Sequence, residues 1–164
     1  MRKKRKANKL INKKMMQILS QLDSRWGSKR IGKTDVLIKD KGCTITCISM
    51  ASDYFKCFQN PGWMAKYLQF TPNNSPLGSA KIYWQSIGKV LCFRFKFRYY
   101  TYNEKSCIEA LKNPRTVCLL EIKKSHWVLA LNKIPGGYWV ADPWGGRKKI
   151  MLASSISGST VLIK

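Results

Sequence analysis

The stretch His126-Trp127-Val128-Leu129-Ala130-Leu131-Asn132, followed after Gly136-Gly137 by Tyr138-Trp139-Val140-Ala141-Asp142-Pro143-Trp144, decides the reading of the fold. Two apolar runs joined by a glycine-rich turn describe an antiparallel hairpin, with strands at 126–132 and 138–141. Working outward, residues 116–122 form another apolar run, and 148–152 and 160–163 are candidates to complete a sheet. Residues 90–102 alternate, with Phe93, Phe95, Phe97 and Tyr99 opposed to Arg94, Lys96 and Arg98. That is the period-two pattern of a half-buried strand.

The first half has a different character. Cys47, Met50, Ala51, Tyr54 and Phe55 lie on one face of a buried helix over 43–57. Asn60-Pro61 supplies a cap and a first-turn proline for a second helix to about residue 70, and Pro76 opens a third that ends near Gly88. A short strand is expected at 36–38, and Asn103 caps a helix to about residue 112. Helices precede strands, so the class is α+β, a helical half packed on an antiparallel sheet.

The chain has 164 residues, 31 Lys+Arg against 8 Asp+Glu, a net charge of +23 and a single histidine. One imidazole excludes two-histidine zinc sites and His-rich metal tracts; neither a metal nor another cofactor is expected. With 45% hydrophobic residues and six Trp, the chain can bury a core despite its charge. Residues 1–16 hold Arg2, Lys3, Lys4, Arg5, Lys6, Lys9, Lys13 and Lys14, and the first acidic residue is Asp23. The domain is therefore read as 17–164, behind a basic and flexible arm. Ile11, Met15, Ile18 and Leu22 recur at helical spacing, which predicts a short amphipathic helix over 10–22.

No apolar run is long enough to span a membrane, and Asn12, Lys13 and Lys14 break any apolar signal segment. Synthesis in the cytoplasm without a signal peptide is expected. A field of this sign favours polyanions, whether nucleic acid, an anionic cell wall or a membrane surface; a merely solvated arm fits equally. Without a signal peptide, the six cysteines at 43, 47, 57, 92, 107 and 118 are expected to be reduced thiols.

Three residues carry chemistry. Cys43 follows Gly42 at the start of a helix, where free N–H groups and the helix dipole stabilise a thiolate. His126 begins one hairpin strand and Asp142 ends the next, so antiparallel pairing makes them neighbours. Nucleophile, base and orienting carboxylate follow in the order Cys, His, Asp. Taken singly, each has a plain alternative: a packed thiol, a core histidine, a turn-starting aspartate.

The segments Gln21-Leu22-Asp23-Ser24-Arg25-Trp26-Gly27, Gly42-Cys43-Thr44-Ile45-Thr46-Cys47-Ile48-Ser49-Met50, His126-Trp127-Val128-Leu129-Ala130 and Gly137-Tyr138-Trp139-Val140-Ala141-Asp142-Pro143-Trp144 resemble, in this order, the papain-like cysteine peptidases related to the bacteriocin-leader-processing (double-glycine) peptidases. The resemblance implies a papain-like fold, Cys43 as nucleophile, His126 as its partner, Asp142 as orienter and Gln21 in the oxyanion hole. It implies no cofactor.

Leader processors are normally fused to a transporter with long apolar spans, and none stands in this chain. A small cationic hydrolase suits anionic bacterial envelopes, so a peptidoglycan endopeptidase or amidase of phage lysis or entry is the expected role, virion-associated or released to the envelope. Cleavage of protein substrates is an alternative within the same class. From another class, an unused papain-like scaffold could serve as a basic structural or nucleic-acid-associated protein in a virion. Arg94, Lys96 and Arg98, together with Arg147-Lys148-Lys149, favour that reading.

Overall fold

The computed structural model of the chain describes residue 13 and residues 16–70 and 80–164. Expectations for the arm at 1–9, for the first half of the 10–22 helix and for the helix start at Pro76 lie outside these residues. The architecture is α+β. Six strands form one antiparallel sheet: β1 (Arg94–Tyr99), β2 (Thr116–Ile122), β3 (His126–Ile134), β4 (Gly137–Asp142), β5 (Arg147–Leu152) and β6 (Ile156–Ile163), in the order β1-β6-β2-β3-β4-β5. The helices are α1 (Ile38–Lys41), α2 (Cys43–Tyr54), α3 (Pro61–Tyr67), α4 (Ile87–Val90) and α5 (Glu104–Lys112).

The sheet is covered on both faces, which explains why β2 reads as a continuous apolar run. Val117 and Leu119 join Leu129 and the helical half in one core, whereas Cys118, Leu120 and Ile122 pack with Cys107 and Ala110 of α5 in a second. The helix α2 is buried nearly all round. Ile48, Met50 and Ala51 are fully enclosed. Ile48 and Met50 each contribute roughly 1.5–3 kcal/mol through burial, so α2 is anchored firmly enough to hold its first residue in place.

Local signals set the helix starts. Asn60 accepts a hydrogen bond from Trp63 N at 3.0 Å, and Asn103 accepts one from Ser106 N at 2.9 Å. These caps satisfy donors that the first turn leaves free.

Several expectations are corrected. Residues 17–20 carry no helix. Val36 precedes only an isolated bridge between Arg30 and Leu37, because Ile38 turns at once into α1. Among the described residues the third helix begins at Trp84, since Ile82 bridges to Phe70 and Tyr83 N donates to Gln69 O. Lys13, counted with the arm, is buried, its Nζ donating to Ala110 O at 2.9 Å and Leu111 O at 3.0 Å at the end of α5. Burial lowers its pKa to about 8. Cys57 and Cys92 are joined in a disulfide rather than reduced, because the segments after α2 and before β1 bring their Cα atoms to 6.3 Å. The other four cysteines are free and buried. No described helix is long and apolar enough to cross a membrane.

Candidate active site

The helix α1 runs into α2 through Gly42, whose N–H donates to Ile38 O at 2.7 Å. A side chain at 42 would collide with the Ile38 carbonyl and side chain, so only glycine permits this join. Cys43 is thereby fixed as the first residue of a twelve-residue helix, against β3. Its backbone N–H is one of those that α2 leaves unpaired, and the dipole favours negative charge there.

The hairpin brings the second and third groups together. Leu129 pairs with Ala141, and continuing that register sets Asp142 diagonally across from His126. His126 Nε2 lies 2.7 Å from Asp142 Oδ1. The remaining ring nitrogen is left for Cys43, and the thiol and imidazole lie near enough for each to shift the other's pKa. Asp142 is almost wholly enclosed, with its side chain 1% exposed. Its Oδ1 also accepts from Trp144 N at 2.9 Å, and its Oδ2 is ion-paired with Lys149 Nζ.

Electrostatics follow from this geometry. Burial pushes the Cys43 thiol up, but the His126 imidazole, the Trp127 backbone N–H and Thr44 outweigh it and draw the pKa below the ordinary value. For His126, burial opposes the charge, yet Asp142 and Cys43 raise the pKa to about 9. Asp142 is desolvated too, and His126, Lys149 and the Trp144 N–H bring it down to about 2. The three groups therefore favour the thiolate, imidazolium and carboxylate together. One turn beyond Cys43, Cys47 is fully buried, its Sγ on Trp127 O at 3.5 Å, and its pKa stands well above the ordinary value. It is a packing residue, not a second nucleophile.

No family model, curated protein or solved structure matches this chain.

Gln21 is held near the site from the other side. Its N–H donates to Pro143 O at 2.9 Å, next to Asp142, and its Nε2 donates to Lys39 O at 3.0 Å, in the turn that leads into Cys43. Its Oε1 is buried without a partner among the described residues. The carboxamide thus braces the Asp142 turn against α1, and its donor is turned to α1 carbonyls. Among the described residues, no three His, Cys, Asp or Glu side chains converge as metal ligands.

A cleft of about 530 Å³ opens beside Cys43 and Thr44, walled by Trp84 and Trp127. Two contributors escaped sequence reasoning. Lys149 belongs to a basic run that reads as a solvated patch, but its place on β5 turns its amine onto Asp142. Arg98 belongs to the alternating strand β1, where strict alternation puts it with Arg94 and Lys96. A register shift between Phe95 and Phe97 breaks the alternation, so Phe95 packs in one core and Phe97 in the other. Arg98 then stacks on Trp127 at 5.1 Å and enters the cleft. Bulges have no clear sequence mark beyond irregular patterning.

Proposed function

We propose that this chain is a cysteine peptidase or amidase of papain-like architecture. The observation that carries the reading is His126 held at 2.7 Å from a buried, cation-paired aspartate while it and the helix-N-terminal Cys43 shift each other's pKa. Each separate member has an innocuous explanation, but a thiol–imidazole–carboxylate chain with a lowered thiol pKa has the composition that activates sulfur.

In the mechanism, the Cys43 thiolate attacks the acyl carbon of an amide and a C–S bond forms. The oxyanion is met by the Cys43 backbone N–H at the start of α2, with the Gln21 carboxamide the second donor if it turns from Lys39. The His126 imidazolium gives its proton to the departing amine as the C–N bond breaks. His126, now neutral, takes a proton from water, whose oxygen adds to the thioester and releases the acid and the Cys43 thiolate. Asp142 holds the ring so that one nitrogen faces sulfur throughout.

As substrate we propose a peptide bond in the bacterial cell wall. The net charge of +23 holds such an enzyme on an anionic envelope, as a phage enzyme of lysis or entry would require. The second reading, an unused papain-like scaffold serving as a basic structural or nucleic-acid-associated protein, is favoured by the Gln21 donor being directed at Lys39 instead of the cleft. Incubation of the protein and its Cys43→Ala variant with purified peptidoglycan and with an unstructured protein, followed by identification of new amino termini, separates them. Cysteine-dependent new termini from peptidoglycan support the first reading; no new termini from either substrate supports the second.

A further inference from the structure

We infer that the cleft beside Cys43 seats a carboxylate of the substrate close to the amide that is cut. This inference rests on the reading of Cys43 as the nucleophile. The basic side chains that line the cleft include Lys41, Arg98 and Lys124, and the acidic residue there is Glu121. Glu121 is already engaged by Arg98 Nη2 at 3.2 Å. Among the described residues, no carboxylate lies within ion-pair distance of Lys41 or Lys124. The cleft therefore carries uncompensated positive charge at Lys41 and Lys124, which concentrates anions.

Arg98 is built in, not merely present. Its guanidinium lies over Tyr100 at 4.6 Å and over Trp127 at 5.1 Å, and its Nε is buried without a partner among the described residues. Aromatic faces and Glu121 fix a planar cation that is shaped for carboxylate recognition.

Lys124 supplies an independent observation. Lys123 and Lys124, at the turn between β2 and β3, both have left-handed backbones, with φ of 49° and 57°. Asn-Gly or Gly-Gly would adopt that turn with less strain. The fold holds the lysines there through Lys123 N on Ser155 O at 3.0 Å and Lys124 N on Ser157 Oγ at 2.8 Å. Strain retained next to a reactive centre points to a use for the side chain, and the Lys124 side chain lines the cleft.

The test compares charged and neutral partners of equal size. Cys43 is alkylated with iodoacetate and with iodoacetamide, and the two rates are read by peptide mass spectrometry in the wild type and in a Lys41→Gln/Lys124→Asn variant. Asn accepts the left-handed turn, and circular dichroism checks the fold. The iodoacetate-to-iodoacetamide ratio should fall about ten-fold in the variant, the combined effect of roughly two partly screened charges. An unchanged ratio overturns the inference.

Paired substrates identify the source of the carboxylate: a cell-wall stem peptide with D-isoglutamate or its amide, and an all-L peptide with Glu or Gln. Preference for the acid in the first pair assigns the stem peptide, and in the second an acidic polypeptide; preference for the amide in both overturns the inference. The alkylation ratio decides where no peptide is turned over. Cleavage that survives Cys43→Ala, or Cys43 labelling no faster than that of Cys47, Cys107 and Cys118, would instead remove the peptidase reading beneath it.

Discussion

His126 Nε2 and Asp142 Oδ1 stand 2.7 Å apart although the residues are sixteen positions apart in the chain. The β3–β4 hairpin produces the contact, and it leaves the imidazole one nitrogen for Cys43. Burial alone would disfavour the charge, but His126, Lys149 and the Trp144 N–H keep the Asp142 carboxylate ionised against the ring. Asp142→Asn keeps the shape and removes the charge. The variant should lose about 10²-fold or more in kcat/KM on any substrate that the wild type cleaves, while circular dichroism shows the same fold. Retention of more than half the activity would assign Asp142 a structural role only.

The single histidine makes its titration directly readable, since every imidazole proton resonance belongs to His126. Its raised value means an NMR midpoint near pH 9 rather than 6.5. In Asp142→Asn the midpoint should fall toward 6.5, and a wild-type midpoint near 6.5 would contradict the hydrogen-bonded chain.

Stability follows the same shifts. The folded pKa of His126 lies above its unfolded value, so its contribution is complete below about pH 6.5 and is lost as pH rises through about 9. Asp142 is depressed, so its contribution is present above about pH 3.8 and is lost as pH falls through about 2. Lys13 is shifted the other way, from 10.5 down to about 8, and returns stability above about pH 8, so urea midpoints measured from pH 2 to 8 should show a plateau between about pH 4 and 6.5 and fall on both sides.

Gly42→Ala tests the join of α1 and α2. The added methyl meets Ile38 atoms at contact distances that force the backbone to move. A stability loss of about 1–3 kcal/mol is expected, with a larger proportional loss of Cys43 reactivity because the displaced residue is its neighbour. Thermal melts and thiol kinetics measure the two separately.

The Cys57–Cys92 bond closes a 35-residue separation. Cys57→Ser/Cys92→Ser should lower stability by about 2–4 kcal/mol, and denatured protein should present four thiols before reduction and six after. Six thiols before reduction would show the pair to be open.

Much of the fold was legible because its signals are local. The hairpin came from two apolar runs around Gly136-Gly137, the α3 and α5 starts from Asn60 and Asn103, and the buried α2 from its apolar spacing. His126 and Asp142 could be paired because strand register converts spacing into distance, and Cys43 was singled out by its place at a helix start. What was hidden depends on long-range packing. The β1 bulge that redirects Arg98, the reach of Lys149 across β5 to Asp142, and the approach of Cys57 to Cys92 are set by neighbours distant in sequence. Residues 17–20 lost their expected helix because this segment is held by tertiary contacts: Gln17 N donates to Asp53 Oδ2 at 2.7 Å, and Ser20 lies against Gly146. Gln21, assigned by resemblance alone, is placed beside the site with its donor elsewhere.

The most direct measurement is the rate of iodoacetamide labelling at pH 6, mapped residue by residue in the native protein and in His126→Ala. An ordinary thiol is almost wholly protonated at that pH and reacts slowly, whereas a thiolate held by His126 reacts at once. Cys43 should be labelled well ahead of Cys47, Cys107 and Cys118, and His126→Ala should slow it about 10²-fold. Labelling of Cys43 no faster than that of Cys107, or at a rate indifferent to His126→Ala, would contradict an activated nucleophile at this site.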